Sequence, residues 1–94
     1  MFQAQIRENE KILLSGRFDA SQVEAAKKVF DAVSKSCIVD FGDLEYISSA
    51  GLGVLLGTQK RLNESGYALK LIHMSQHIRD VFRYAGFDTI FEID

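Results

Sequence analysis

Two adjacent hydroxyls followed by closely spaced glycines make the segment Ser48-Ser49-Ala50-Gly51-Leu52-Gly53, with Gly57 one turn further on, the part of this chain best placed to do chemistry. An amphipathic pattern with Leu52, Leu55, Leu56 and Leu62 facing inward predicts a helix that begins near Ser49. The serines therefore fall where a helix leaves backbone N–H groups unpaired and where its dipole is positive. A hydroxyl at that end can cap the helix, and a phosphate carried there meets favourable electrostatics. Glycine inside a helix costs about 1 kcal/mol relative to alanine. Three glycines in the opening turns thus imply either close approach of another backbone or a flat surface left for a partner. The plainer account is a serine N-cap with glycines that accommodate packing. The string is not a nucleotide-binding loop, because the lysine-serine/threonine ending of that motif is missing.

Elsewhere the search for catalytic groups comes up short. His73 and His77 are four apart but straddle a strand end and a helix start, with no third ligand nearby, so they read as surface histidines and no metal is expected. Cys37, the single cysteine, sits in an apolar run and reads as a buried reduced thiol. Two histidines and one cysteine in these contexts assemble no nucleophile–base–acid set, so neither catalytic residues nor a cofactor is expected. The net charge is −2 and the 11 Lys and Arg are scattered, which argues against nucleic acid as a partner. The longest apolar run, Gly51–Gly57, is far too short to span a bilayer, and no signal peptide is visible at Met1-Phe2-Gln3-Ala4-Gln5. A cytoplasmic protein without membrane insertion is expected. With 94 residues, of which 47% are hydrophobic and 26% charged, the chain fits one folded domain over 1–94.

The elements that must position the serines follow from periodicity. Phe2–Arg7 alternates apolar and polar, as a strand with one buried face does, and Glu8-Asn9-Glu10 turns it into a second strand at Lys11–Ser15. Asp19 or Ser21 caps a first helix, Ser21 and Glu24 having capping-box spacing, with Val23, Ala26, Val29 or Phe30, and Val33 inward. Cys37-Ile38-Val39 reads as a central strand covered on both faces. After the glycine-rich helix come a strand over Tyr67–Ile72 and a helix capped by Ser75 with the stripe Ile78, Val81, Phe82 and Ala85. Gly86 ends that helix, and Ile90–Ile93 forms a short last strand. Alternating strands and helices predict an α/β fold: a four- to five-stranded mixed sheet, three to four helices largely on one side.

The segment Ile38-Val39-Asp40-Phe41-Gly42-Asp43-Leu44-Glu45-Tyr46-Ile47-Ser48-Ser49-Ala50-Gly51-Leu52-Gly53-Val54-Leu55-Leu56 resembles the signature of STAS domains, the fold of bacterial anti-sigma factor antagonists. In that family an apolar strand ends in Asp and a short loop leads to Asp-Ser-Ser/Thr-Gly-Leu-Gly at a helix start. Leu14-Ser15-Gly16-Arg17-Phe18-Asp19-Ala20 is similar to the family's turn after its second strand, and Phe82-Arg83-Tyr84-Ala85-Gly86-Phe87 to the end of its third helix. The resemblance covers essentially the whole chain and implies a STAS fold.

It also implies a partner switch in transcription regulation, in which an anti-sigma factor that is a serine kinase binds the unphosphorylated protein and releases it after phosphorylation. A serine phosphatase of the PPM type resets the cycle. Carried over, Ser49 matches the phosphorylated serine, Ala50 the Ser/Thr position and Gly51-Leu52-Gly53 the glycine turn. Asp19 and Asp40 match acidic residues that flank the site, and Ser48 stands where the family usually has Asp. Either serine could cap the helix; Ser49, placed at the cap, is expected to point its oxygen outward toward the free N–H groups and an approaching kinase, and Ser48 to orient the loop by hydrogen bonding. The competing reading is a STAS subunit of a phospholipid-transport ABC system, a permanent partner of the ATPase that needs no phosphoserine.

Overall fold

Burial alternates along the second strand: Ile12, Leu14 and Phe18 are at most 1% exposed, while Lys11, Leu13, Ser15 and Arg17 are not buried. A strand of that pattern has one face in the core and one face uncovered. The computed structural model of the protein describes residues 1–7 and 11–94 and builds the whole chain on that plan. The elements are β1 (Gln3–Arg7), β2 (Lys11–Phe18), a 3-10 turn (Ala20–Gln22), α1 (Val23–Phe30), β3 (Cys37–Ile47), α2 (Ser49–Glu64), β4 (Leu69–Ile72), α3 (Gln76–Tyr84) and β5 (Glu92–Ile93). The strands lie in the order β1-β2-β3-β4-β5, the first pair antiparallel and the rest parallel. The five-stranded mixed sheet with three α-helices agrees with the expected fold class. The turn expected at residues 8–10 lies outside the described residues.

One core holds the layers together. Phe18, Phe30, Phe41 and Phe82 are its largest fully buried side chains, joined by Leu55, Leu62 and Ile78 from the helices. Two side chains of α2 fasten loops to this core. Gln59, 3% exposed, donates to the Ile90 carbonyl at 2.9 Å and accepts from the Leu69 amide at 2.8 Å. Arg61 donates to the Val33 and Phe30 carbonyls at 2.7 and 2.9 Å, tying the chain that leaves α1 to α2.

Several expectations need correction. The central strand does not end near Asp40; β3 continues to Ile47, and its register against β2 slips between Leu13 and Ser15 and again between Gly16 and Arg17. Bulges of this kind keep a long strand paired while turning its side chains, and their polar residues hid the strand from a reading based on apolar runs. Ile38 is only half-buried, because no helix covers that face. Phe2, just before β1, is buried but Ile6 is 59% exposed, so the face expected to be buried along Phe2–Arg7 leaves the core at its far end. Leu56 is half-buried and Ala85 exposed, since each sits at the edge of a stripe that the helix rotates out of the core. No Ser21–Glu24 capping box forms; Asp19 accepts from the Ser21 amide and hydroxyl instead, and a 3-10 turn precedes α1. β4 starts at Leu69 and β5 at Glu92, each two residues later than expected. Gly86 closes α3 as expected, at φ 76.

Candidate functional site

The parallel strands β2 and β3 finish side by side, Phe18 paired with Ile47, and the Ser48 amide donates to the Phe18 carbonyl at 2.9 Å. Asp19 and Ser48 therefore leave the sheet at the same end, one into the 3-10 turn and the other into α2. Ser48 keeps extended backbone angles (φ −90, ψ 170), and its Oγ accepts from the Gly51 amide at 3.2 Å. Its carbonyl accepts from the Leu52 amide at 2.9 Å. Ser48 is thus the N-cap, the position expected of Ser49, because the Phe18 carbonyl holds the Ser48 amide at the strand end. Ser49 is the first residue of the helix and is exposed. Its hydroxyl makes no hydrogen bond to another described residue.

The glycines divide between the two explanations open to them. A Cβ on buried Gly51 would lie 2.9 Å from Ile47 Cγ1 and 3.1 Å from the Phe18 ring, so this glycine lets α2 settle onto the strand ends. A Cβ on Gly53 or Gly57 would meet nothing within 4 Å, and both residues face outward. With Ala50 and Val54 they floor a groove between α2 and α1, bounded by Val23, Lys27 and Asp31. The surface around Ser49 therefore consists of Asp19, Ala50, Gly53 and this groove, while Leu52 points into the core at 6% exposure.

Asp40 does not belong to this surface. It lies seven residues before Ile47 on β3, roughly 20 Å away at strand rise. It is 8% exposed and sits between Leu13 of β2 and Ile72 of β4. One carboxylate oxygen takes the Gly42 amide at 2.8 Å and stands 3.0 Å from His73 Nδ1; the other is 3.4 Å from Lys11 Nζ. Burial opposes its charge, but the Gly42 amide, the His73 ring and Lys11 together outweigh it and hold the carboxyl below its ordinary 3.8. His73 meets it from a left-handed backbone conformation (φ 60), unusual for a residue with a side chain. The group ties three neighbouring strands together. Among the described residues no three His, Cys, Asp or Glu side chains are grouped to hold a metal.

A family model described as "Mlab, STAS domain" matches residues 1–92. The chain belongs to the STAS domain family. Among STAS proteins it is 35% identical, over 87% of its length and 70% of the relative's, to BtrV of Bordetella bronchiseptica, a protein named as an anti-sigma factor antagonist. It is 37% identical to the anti-sigma-B factor antagonist of Bacillus subtilis, over 54% of this chain and 47% of that one. The fold matches the anti-sigma factor antagonist SpoIIAA in its unphosphorylated form with a TM-score of 0.76 at 24% identity, covering 100% of this chain and 88% of that one. The phosphorylated form of Bacillus SpoIIAA matches with a TM-score of 0.71, also at 24% identity, over 100% of this chain and 91% of that one. No helix among the described residues is long and apolar enough to cross a membrane.

Two features of this STAS site escaped the sequence reading. Phe18 and Ile47 form the seat under Gly51, and only strand pairing brings these two distant parts of the chain together. Arg17 stacks over the Tyr46 ring with its guanidinium carbon 4.4 Å from the centroid, on the uncovered face beside the same strand ends. Neither feature carried a local signal.

Proposed function

We propose that this protein is an anti-sigma factor antagonist that works as a partner switch: unphosphorylated, it binds a serine-kinase anti-sigma factor, and phosphorylation of Ser49 releases it. The observation that carries this reading is the division of labour between the serines. Ser48 spends its hydroxyl on the helix cap, whereas Ser49 stands exposed at the first position of α2 with its hydroxyl available. A phosphoryl group there adds a charge of about −1.5 to −2 while lying against the positive helix end, so the fold tolerates it. The same charge would fall inside a partner interface built on Asp19, Ser48, Ser49, Ala50 and Gly53; Gly51 and Leu52, expected in that surface, are buried beneath it and only support it. Like-charge repulsion with Asp19 and desolvation of the phosphate oppose binding there, and each 1.4 kcal/mol lost is about tenfold in affinity. The protein contributes a surface and an acceptor hydroxyl; catalysis belongs to the kinase and to a PPM-type phosphatase that removes the phosphate. The names of BtrV and of the Bacillus subtilis relative support this assignment.

Incubation with the co-encoded kinase and ATP tests it. One phosphoryl group is expected, mapped by peptide mass spectrometry to Ser49 and absent from Ser49→Ala. Labelling confined to Ser48 would contradict the geometry. No labelling, together with stable binding to a transporter ATPase, would transfer the protein to the phospholipid-transport reading.

A further inference from the structure

β1 ends the sheet on one side, and apart from the single charge of Arg7 its outer edge carries none of the usual protection against pairing. It runs five residues in unbroken register against β2, with no proline, no bulge and no carboxylate or lysine. No other backbone among the described residues hydrogen-bonds to that edge. An edge of this kind offers a row of unpaired N–H and C=O groups to another strand. The contrast with the other free edges is sharp: β5 has two residues, and the part of β3 beyond β4 is bulged and bears Asp43 and Glu45.

We infer that β1 pairs antiparallel with β1 of a second copy of this chain, about a two-fold axis through Gln5, joining the two sheets into one of ten strands. The sequence Gln3-Ala4-Gln5-Ile6-Arg7 is self-complementary in that register. Residues directly opposite each other lie on the same face, so Gln5 meets its copy, Ala4 meets Ile6, and Gln3 meets Arg7. Ile6, 59% exposed in the single chain, gains an apolar neighbour beside the cleft it lines with Ile12, Val33 and Cys37. On the other face, Arg7 already donates to Gln5 at 2.7 Å and Gln5 to Gln3 at 2.8 Å. The partner extends that polar row. Arg7, the strand's single charge, faces a neutral glutamine across the axis, so no like charges meet. An interface of two five-residue strands falls below the standard size, so the association is weak and concentration-dependent.

Sedimentation velocity of the whole chain, from micromolar to millimolar concentration, reads this directly. Wild type is expected to shift toward dimer within that range. Gln5→Lys places two lysines opposite each other at the axis and should weaken association at least about fivefold, with circular dichroism confirming an unchanged fold at this exposed site. Gln5→Glu should do the same alone, and an equimolar mixture of the two variants should recover association as a heterodimer. A wild type that stays monomeric at millimolar concentration overturns the proposal. So does a dimer indifferent to both substitutions, which would place the contact on another surface.

Discussion

Substituting Ser48 by alanine removes the acceptor for the Gly51 amide, and loss of such a cap costs about 1 kcal/mol. Substituting Ser49 removes no hydrogen bond, so Ser49→Ala should melt within a degree or two of wild type, and calorimetry checks the pair. Asp and Ser are equally good N-caps, so Ser48→Asp should keep the cap and melt close to wild type. Ser49→Asp should weaken kinase binding at least about tenfold by titration calorimetry, consistent with the charge argument. Asp40 belongs to stability. Its folded carboxyl lies below the ordinary 3.8, so its contribution is fully present above that pH and is lost as pH falls below it. Asp40→Asn should lower stability at neutral pH and flatten the decline below that carboxyl's ordinary 3.8 in acid denaturation curves. An undiminished acid limb in the variant would assign the decline to other groups.

At the scale of the element, α2 carries two kinds of glycine, and one substitution separates them. Gly51→Ala forces a Cβ to within 2.9 Å of Ile47 and should destabilise by about 1–3 kcal/mol. Gly53→Ala adds its methyl to open space and removes a flexible residue from a helix, so it should stabilise by up to about 1 kcal/mol. Urea melts of the two variants give opposite shifts of midpoint if this assignment is right. Gly53→Ala also narrows the groove beside Ser49, so reduced kinase binding in a more stable protein would mark that groove as part of the interface. The chain's own packing gives no reason for glycine at this position, and a docking partner would supply one.

The whole molecule rests on one thin core. Its radius of gyration is 11.9 Å, close to the roughly 12 Å expected of a single compact body of this length. Leu55, 0% exposed, should cost about 2–5 kcal/mol when cut to alanine, a large share of a small domain's stability. Val81 is only half-buried and should cost less than Leu55. Gln59→Leu keeps the volume but strands the Leu69 amide and the Ile90 carbonyl, so it should destabilise by about 1–3 kcal/mol per stranded group in thermal melts. Equal melting of Leu55→Ala and Val81→Ala would mean that the core is distributed differently along α3.

Local pattern alone determined the element order, the start of α2 at Ser49 and the stop of α3 at Gly86, because periodicity, capping and glycine conformation are properties of neighbouring residues. The Ser-Ser-Ala-Gly-Leu-Gly string was legible for the same reason. What the sequence left open was decided by contacts between distant residues. Which serine caps and which is exposed depends on where Phe18 pins the Ser48 amide. The separate duties of Gly51 and Gly53 depend on which side of α2 meets the sheet. Asp40 matched a motif beside the serines in sequence, yet β3 runs on past it as a bulged strand and carries the two apart. A strand advances about 3.3 Å per residue, so a few residues misread as loop move a side chain from the site to the far side of the sheet.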